Sequence, residues 1–227
     1  MIRRLSLFAL VACLATGSQA AAENILNNGG FESEIGFAFP NDGSNWSGFF
    51  GGPGDKFNNS TVSTGFTDPP RNGVPMPRTG DNSYFGEIVT GSDGFTGIVQ
   101  TQPAIAGAEY TYDIWAKRDG LFNIGAEFRL EFSDADGNFT IGQFDLNTPI
   151  QDDLTEEYQL FSLTAVAPAN TANVTAVIAV QTFVGPDDAS TAIGSLFVDD
   201  ASLTFIPEPT AALLACLGLG AMATRRR

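Results

Sequence analysis

The side chains that could do chemistry in this chain are mostly carboxylates. The 227-residue sequence contains no histidine and only two cysteines, against 26 aspartates and glutamates and a formal net charge of −15. Without imidazoles there can be no Ser-His-Asp triad, and the commonest general base and transition-metal ligand is missing. Oxygen chemistry remains. An acidic surface of this kind repels nucleic acid and suits hard cations, although export and solubility alone explain most of the charge.

The thiols lie outside the central part of the chain. Cys13 and Cys216 fall in apolar stretches near the two ends, so residues 23–205 contain none. Disulfides, cysteine-based zinc sites and cysteine nucleophiles are therefore excluded from this part, which is long enough for one domain with a buried core.

An acidic run at residues 134–138 (DADGN) resembles the start of a calcium-binding EF-hand loop. With Asp134 as first ligand, however, the sixth position holds Phe139 instead of glycine and the twelfth holds Asp145 instead of glutamate. Asp-Gly between two strand patterns favours a hairpin turn, which is our prediction here.

The elements that must position these side chains are strands. In residues 126–132 (AEFRLEF) apolar and charged residues alternate, as in a half-buried strand. Similar segments, separated by turn signals, predict an all-β antiparallel sandwich. They are residues 83–89, 97–102, 109–117, 126–132, 139–146, 158–166, 173–184 and 195–205. Residues 33–80 are rich in glycine, proline, asparagine and serine, and predict long loops with two short strands at most.

The C-terminal end carries a membrane-type signal. A helix over the apolar run 210–224 would be about 22 Å long, which is short for the roughly 30 Å hydrocarbon core, but terminal arginines can snorkel to the headgroups. A C-terminal core helix is the alternative. The parts in order are Pro207, Glu208 and Pro209, the run 210–224, and Arg225, Arg226 and Arg227. This order resembles the PEP-CTERM sorting signal of Gram-negative bacteria, which implies membrane insertion, recognition by an exosortase, cleavage near the triplet, and display at the cell surface or in the extracellular matrix.

The N-terminal end agrees with export. Arg3 and Arg4 precede an apolar stretch and then small residues, which is the order of a secretory signal peptide cleaved after Ala20 or Ala22. A lipoprotein box ending at Cys13 is the alternative, although its signal would be very short. The predicted organisation is a signal peptide at 1–22, a β-sandwich at 23–205 and a sorting signal at 206–227.

The order of motifs between residues 24 and 205 resembles the galactose-binding-like jelly rolls, in particular carbohydrate-binding modules of the family 4, 9 and 16 type. The motifs are NGGFE, Trp46, GDNSYFGEI, IVQTQPAIAGAEYTYDIWAK, DADGN and LFVDDASLTF. The sequence departs from that pattern between residues 48 and 80. The resemblance implies a jelly-roll sandwich that binds carbohydrate.

The resemblance also implies one structural calcium between the first and last strands. The matching positions are Glu32 with the carbonyl of Gly30, and Asp199 or Asp200. Because Ala201 and Leu203 suit the core, strand alternation predicts that Asp199 points inward and Asp200 outward. The alternative is a solvated pair of aspartates at a strand end.

Sugar recognition needs flat aromatic faces together with amides and carboxylates for the hydroxyl groups. For Trp46 and Trp115 the alternative is a place in the core. The candidates are Trp46, Phe49, Phe50, Tyr84 and Trp115, with Gln100 and Asp113 as polar neighbours.

Three classes of function follow. The first is a surface-sorted, non-catalytic domain that binds matrix polysaccharide, and the second is a structural or adhesive matrix protein without a sugar site. The third is a glycoside hydrolase, which needs only two suitably spaced carboxylates.

Overall fold

The structure is a computed structural model that describes residues 22–33, 45–52, 57–63, 77–88, 94–139, 144–145, 154–183 and 191–206, with only the backbone at 57–63 and 144–145. The predicted signal peptide up to residue 21, including Cys13, and the sorting signal from Pro207 onward lie outside the described residues. No helix among the residues described is both long and apolar enough to cross a membrane.

The described residues form ten strands in two antiparallel sheets, which confirms the predicted all-β class. Sheet A has the order β1-β4-β9-β6-β7 and sheet B the order β2-β3-β10-β5-β8. The strands are β1 (Ser47–Gly51), β2 (Phe57–Ser63), β3 (Asn82–Ile88), β4 (Phe95–Pro103), β5 (Glu109–Asp119), β6 (Gly125–Ser133), β7 (Phe144–Asp145), β8 (Gln159–Val166), β9 (Asn173–Gln181) and β10 (Gly194–Ile206).

Alternation in the sequence explains which side chains fill the space between the sheets. In β6, Phe128, Leu130 and Phe132 have no exposed surface, whereas the charged residues between them point away from the core. Ile114 on β5 and Ile178 on β9 are equally buried. Burial of each such side chain contributes about 1.5–3 kcal/mol, so this shared apolar layer holds the sheets together.

The segment before β1 forms no strand but is fixed to β10. The Ile25 amide donates to the carbonyl of Leu203 at 2.8 Å. The Asn24 side-chain oxygen accepts from the amides of Leu26 and Leu203 at 3.0 and 2.9 Å. Further on, Phe31 has a positive φ of 56°. The N-terminal segment thus closes one end of the sandwich.

A bulge in β10 corrects one expectation about the acidic pair. Asp199 is the Cα partner of Trp115, and the next partners are Ser202 and Asp113, so three steps along β10 oppose two along β5. The extra residue is accommodated with a positive φ of 48° at Asp200. Because a bulge shifts the alternation by one residue, Asp199 lies on the outward side with Trp115, not on the inward side as predicted.

The acidic run 134–138 forms the predicted turn after β6. The Asp134 amide donates to the Asn138 carbonyl at 2.9 Å, and the Gly137 amide to the Asp134 carbonyl at 3.1 Å. Gly137 has a φ of 83°, which suits glycine. The chain then reverses, with a bridge between Ser133 and Phe139.

Candidate functional site

The outward face of sheet A carries the candidate site. Its central strands have small residues there: Gly97 on β4 is the Cα partner of Ala179 on β9, and both are buried. These two residues form a strip where little side chain rises above the sheet. On one side of the strip Gly97 pairs with Phe49 of β1, and on the other side Ala179 pairs with Glu127 of β6. Aromatic rings therefore border the strip at the β1 edge and charged groups border it at β6.

The aromatic border consists of Phe49, Phe95 and Phe183, which we call the phenylalanine platform. The ring centroids of Phe49 and Phe95 are 5.9 Å apart, and those of Phe95 and Phe183 are 5.8 Å apart. Phe183 is 69% exposed, and the other two side chains are half-buried.

Glycines on the neighbouring strands let two of these rings lie close to the backbone. A Cβ on Gly97 would lie 2.8 Å from Phe49 Cζ, and one on Gly51 would lie 2.6 Å from Phe95 Cζ. The tip of each ring thus lies over a glycine. Where the faces of these rings are reached by a ligand, an apolar surface of the ligand can stack on them.

The charged border is built around Arg129 of β6. Its guanidinium forms ion pairs with Glu127 and Glu131, which lie two residues away on either side and share its face. The Arg129 Nε also donates to Glu131 at 2.7 Å. The trio carries a net charge of about −1 and holds donors and acceptors in fixed positions beside the strip.

Three of the predicted sugar-binding residues lie in the interior. Trp46 is 2% exposed and its Nε1 donates to the Asn28 carbonyl at 3.2 Å, while Tyr84 has no exposed surface. Both rings pack against Phe31, with centroids 5.5 and 5.8 Å away. Gln100 is 2% exposed and bonds through its amide to both the N–H and the carbonyl of Asn27. In this arrangement none of the three presents a surface to a sugar.

Of the other predicted residues, Trp115, Asp113 and Phe49 lie on outward faces. Trp115 and Asp113 share the outward face of sheet B, where Asp113 accepts from the Ser162 hydroxyl. The Trp115 ring is covered by the guanidinium carbon of Arg78, 3.8 Å from the ring centroid. Phe49 belongs to the platform, whereas Phe50 is the Cα partner of the buried Thr96 and lies on the inward side of the edge strand β1, where it is 50% exposed. The predicted set is therefore divided between the two faces and the core.

The residues predicted to bind calcium lie together, but their carboxylate oxygens already accept hydrogen bonds from N–H and O–H groups of the chain. Asp199 has no exposed surface, and its Oδ2 accepts from the amides of Arg78 and Thr79 at 2.8 and 3.0 Å. Asp200 pairs with the Arg78 guanidinium and accepts from the Thr79 hydroxyl at 2.7 Å. Burial raises the pKa of Asp199 to about 6, although N–H groups oppose that shift.

Glu32 and Gly30 lie in the same region, but they do not turn it into a metal site. The Glu32 carboxylate accepts from the Asp81 amide at 3.2 and 3.1 Å, and a Cβ on Gly30 would lie 3.9 Å from Asp200 Oδ1. In the part of the chain that the structure describes, no three histidine, cysteine, aspartate or glutamate side chains are grouped to hold a metal ion. As arranged, these residues do not fit calcium, and its binding stays a prediction.

Several residues of the candidate site escaped the sequence analysis. Phe95 and Phe183 are single aromatics at strand ends, and they meet only because β4 pairs with β9. A usable signal was Gly97 in the middle of β4, since a glycine inside a strand marks the close approach of another group, which here is the ring of Phe49.

Comparisons with known proteins show the fold. No protein-family profile and no curated protein matches the chain. The enzymatically active domain of tailspike protein 4 from bacteriophage CBA120 is similar at 18% identity and a TM-score of 0.56, over 81% of this chain and 21% of that one. An arabinose-bound MgGH51 α-L-arabinofuranosidase is similar at 16% identity and a TM-score of 0.50, over 84% and 27%. A family 16 carbohydrate-binding module is similar at 15% identity and a TM-score of 0.47, over 79% and 99%.

This chain thus spans a minor part of the first two proteins. At these identities the likeness defines the class of architecture, an antiparallel β-sandwich.

Proposed function

We propose that this β-sandwich binds a polysaccharide on the outward face of sheet A. The observation that carries the proposal is the phenylalanine platform beside the Arg129 trio. A pyranose ring has an apolar face that stacks on aromatic rings and a rim of hydroxyl groups that bond to carboxylates, guanidinium and amides. The outward face of sheet A carries both kinds of group, with the rings toward β1 and the charged trio on β6.

The test is retention of the full chain in native affinity gels that contain candidate polysaccharides, chosen from a glycan array. Phe183→Ala and Phe95→Ala should each weaken retention roughly tenfold, the equivalent of about 1.4 kcal/mol of lost stacking and buried surface. Phe139→Ala is the matched control, since Phe139 is 67% exposed but lies at the 134–138 turn. Binding that is equally sensitive to all three variants would contradict the proposed site.

We further propose that binding is not accompanied by catalysis. The carboxylates of Glu127 and Glu131 on this face both pair with Arg129 and neither stands alone opposite a second acid. The enzymatically active domain of a phage tailspike protein and an α-L-arabinofuranosidase are among the proteins of similar fold, so glycoside hydrolysis is the second candidate function. Release of reducing sugar from the retained polysaccharide, abolished in Glu127→Gln or Glu131→Gln, would establish it.

A structural or adhesive role without a sugar site is the remaining alternative. It makes the opposite prediction in the same assay. If the folded chain is retained by no glycan on a broad array, the result favours this structural class over sugar binding.

Export and surface sorting are proposals supported by the sequence at the two ends. The signal-peptide order at residues 1–22 and the Pro207-Glu208-Pro209 triplet, apolar run and arginines at 206–227 support passage across the inner membrane and processing by an exosortase. Fractionation of the producing cell should place the processed chain at the surface or in the matrix. Full-length chain confined to the cytosol would overturn this proposal and leave sugar binding untouched.

A further inference from the structure

The acidic pair on β10 contacts a positively charged side chain of the same chain. Asp199 and Asp200 are adjacent and lie where the β10 bulge interrupts the ladder with β5. The carboxylates of adjacent residues repel each other, and Asp199 has no exposed surface. The pair therefore needs positive charge or N–H donors nearby. In this fold residues 78 and 79 supply them.

The contacts of residues 78 and 79 account for most acceptor positions of the pair. Oδ2 of Asp199 receives the amides of Arg78 and Thr79, and Oδ1 receives the amide of Asp200 itself at 2.8 Å. Oδ2 of Asp200 receives the Arg78 guanidinium and Oδ1 the Thr79 hydroxyl. A calcium ion needs about six to eight oxygen ligands, and here it would face the positive ends of these N–H groups and a guanidinium.

The same guanidinium lies on an aromatic ring. Arg78 Cζ is 3.8 Å from the centroid of Trp115, which is the Cα partner of Asp199. Arginine is suited to this double role, because its planar group can stack by one face while its edge bonds to a carboxylate. The Arg78 and Asp200 side chains are only 33% and 27% exposed, so water screens the pair incompletely.

We propose that Arg78 supplies, from within the chain, the charge that a divalent cation would otherwise bring to Asp199 and Asp200, and that its guanidinium forms a cap over Trp115. The cap keeps the outward face of sheet B from acting as a second aromatic platform. Its removal creates a calcium-responsive acidic site and an accessible tryptophan. The proposal does not depend on sugar binding by sheet A, which lies on the opposite face of the sandwich.

The first test compares thermal unfolding of the full chain in about 5 mM EDTA and about 5 mM calcium chloride. Wild type should melt at the same temperature in both. Arg78→Ala should melt lower in EDTA and recover by about 5 °C in calcium, because an ion that binds only the folded state stabilises it. Arg78→Lys keeps the charge without the planar group, and it should show no response to calcium.

The second test reads the cap directly through tryptophan fluorescence. Because Trp46 is 2% exposed, the quenching by acrylamide that Arg78→Ala adds should come from Trp115, and Arg78→Ala,Trp115→Phe should lose it. A wild type that calcium stabilises, or an Arg78→Ala that calcium leaves unchanged, overturns the proposal. If Arg78→Ala does not fold, the wild-type and Arg78→Lys melts still decide it, since a calcium response in either is contrary to the inference.

Discussion

The ring of Phe49 lies over Gly97, so closely that a Cβ on the glycine would stand 2.8 Å from Phe49 Cζ and 2.3 Å from the Ile178 carbonyl oxygen. This contact joins the edge strand β1 to the middle of sheet A. It also determines how close the Phe49 ring of the phenylalanine platform lies to the sheet.

Gly97→Ala should therefore damage both stability and binding. The carbonyl cannot move away without breaking the β4–β9 ladder, so we expect a loss of about 1–3 kcal/mol in the free energy of unfolding, measured in urea. Displacement of the Phe49 ring should also weaken glycan retention. Gly137→Ala is the control: its Cβ meets nothing within 4 Å, so only the left-handed backbone costs stability, and retention should not change. If glycan retains Gly97→Ala as strongly as wild type, Phe49 is not part of the binding site.

Arg129→Met should destabilise the sandwich by leaving Glu127 and Glu131 without their cation. Their side chains are 21% and 13% exposed, so we expect a loss of about 1–3 kcal/mol at low salt. Because salt screens the repulsion that remains, the loss should shrink in about 0.5 M sodium chloride. Adding Glu127→Gln and Glu131→Gln should recover most of it. A loss that is independent of salt would indicate packing of the arginine stem instead.

Trp46→Phe separates a core role from a sugar-binding role. The substitution keeps a ring against Phe31 but removes the Nε1 bond to the Asn28 carbonyl. We expect a loss of about 1–2 kcal/mol in urea unfolding with glycan retention unchanged below the melting transition. Lost retention in a variant that melts like wild type would return Trp46 to the binding site.

Asp199 should make stability fall as pH rises through its titration range. Its pKa is raised to about 6 in the folded state, chiefly by burial and also by Asp200, against about 3.9 in the unfolded chain. The folded state thus holds the proton longer, and the group's contribution declines between about pH 4 and pH 6, by about 3 kcal/mol at most. Urea unfolding in EDTA should show Asp199→Asn gaining on wild type over that interval.

A constant difference between those two proteins would mean that Arg78 and the N–H groups offset burial completely. Added calcium offers a further check. An ion on Asp199 would lower its folded pKa and remove the trend, whereas the Arg78 cap predicts the same curve with calcium and with EDTA.

Sequence reasoning succeeded where one face of a strand is apolar. The alternation around Phe128 and Leu130 predicted β6, and the same pattern predicted β5 and the ends of β10. It failed at the β10 bulge, because one extra residue leaves composition unchanged yet moves Asp199 to the other face. Strands β1 and β2 lie in the glycine-rich stretch, where only pairing with β4 and β3 defines them.

The candidate site was less accessible to such reasoning because it depends on pairing between distant strands. Trp46 stands in a stretch rich in glycine and serine, where a binding role and a place in the core were both open, and the contact with Phe31 from elsewhere in the chain decides for the core. Phe183 gave no signal of its own and became a candidate only through its contact with Phe95. Local pattern predicts which residues are strand, whereas the neighbours across a sheet decide which of them reach a ligand.

The position of β10 also determines when the domain can finish folding. This strand, Gly194–Ile206, is the middle strand of sheet B, between β3 and β5, and it also receives the N-terminal segment at Leu203. During synthesis, β3 and β5 lack this shared neighbour until β10 begins at Gly194, about 105 residues after the end of β3 and about 75 after the end of β5, and pairing of strands so far apart in sequence is slow. A ribosome-bound chain therefore keeps one half of its sandwich open until almost every residue of the fold has been made, and over that interval it remains a substrate for chaperones.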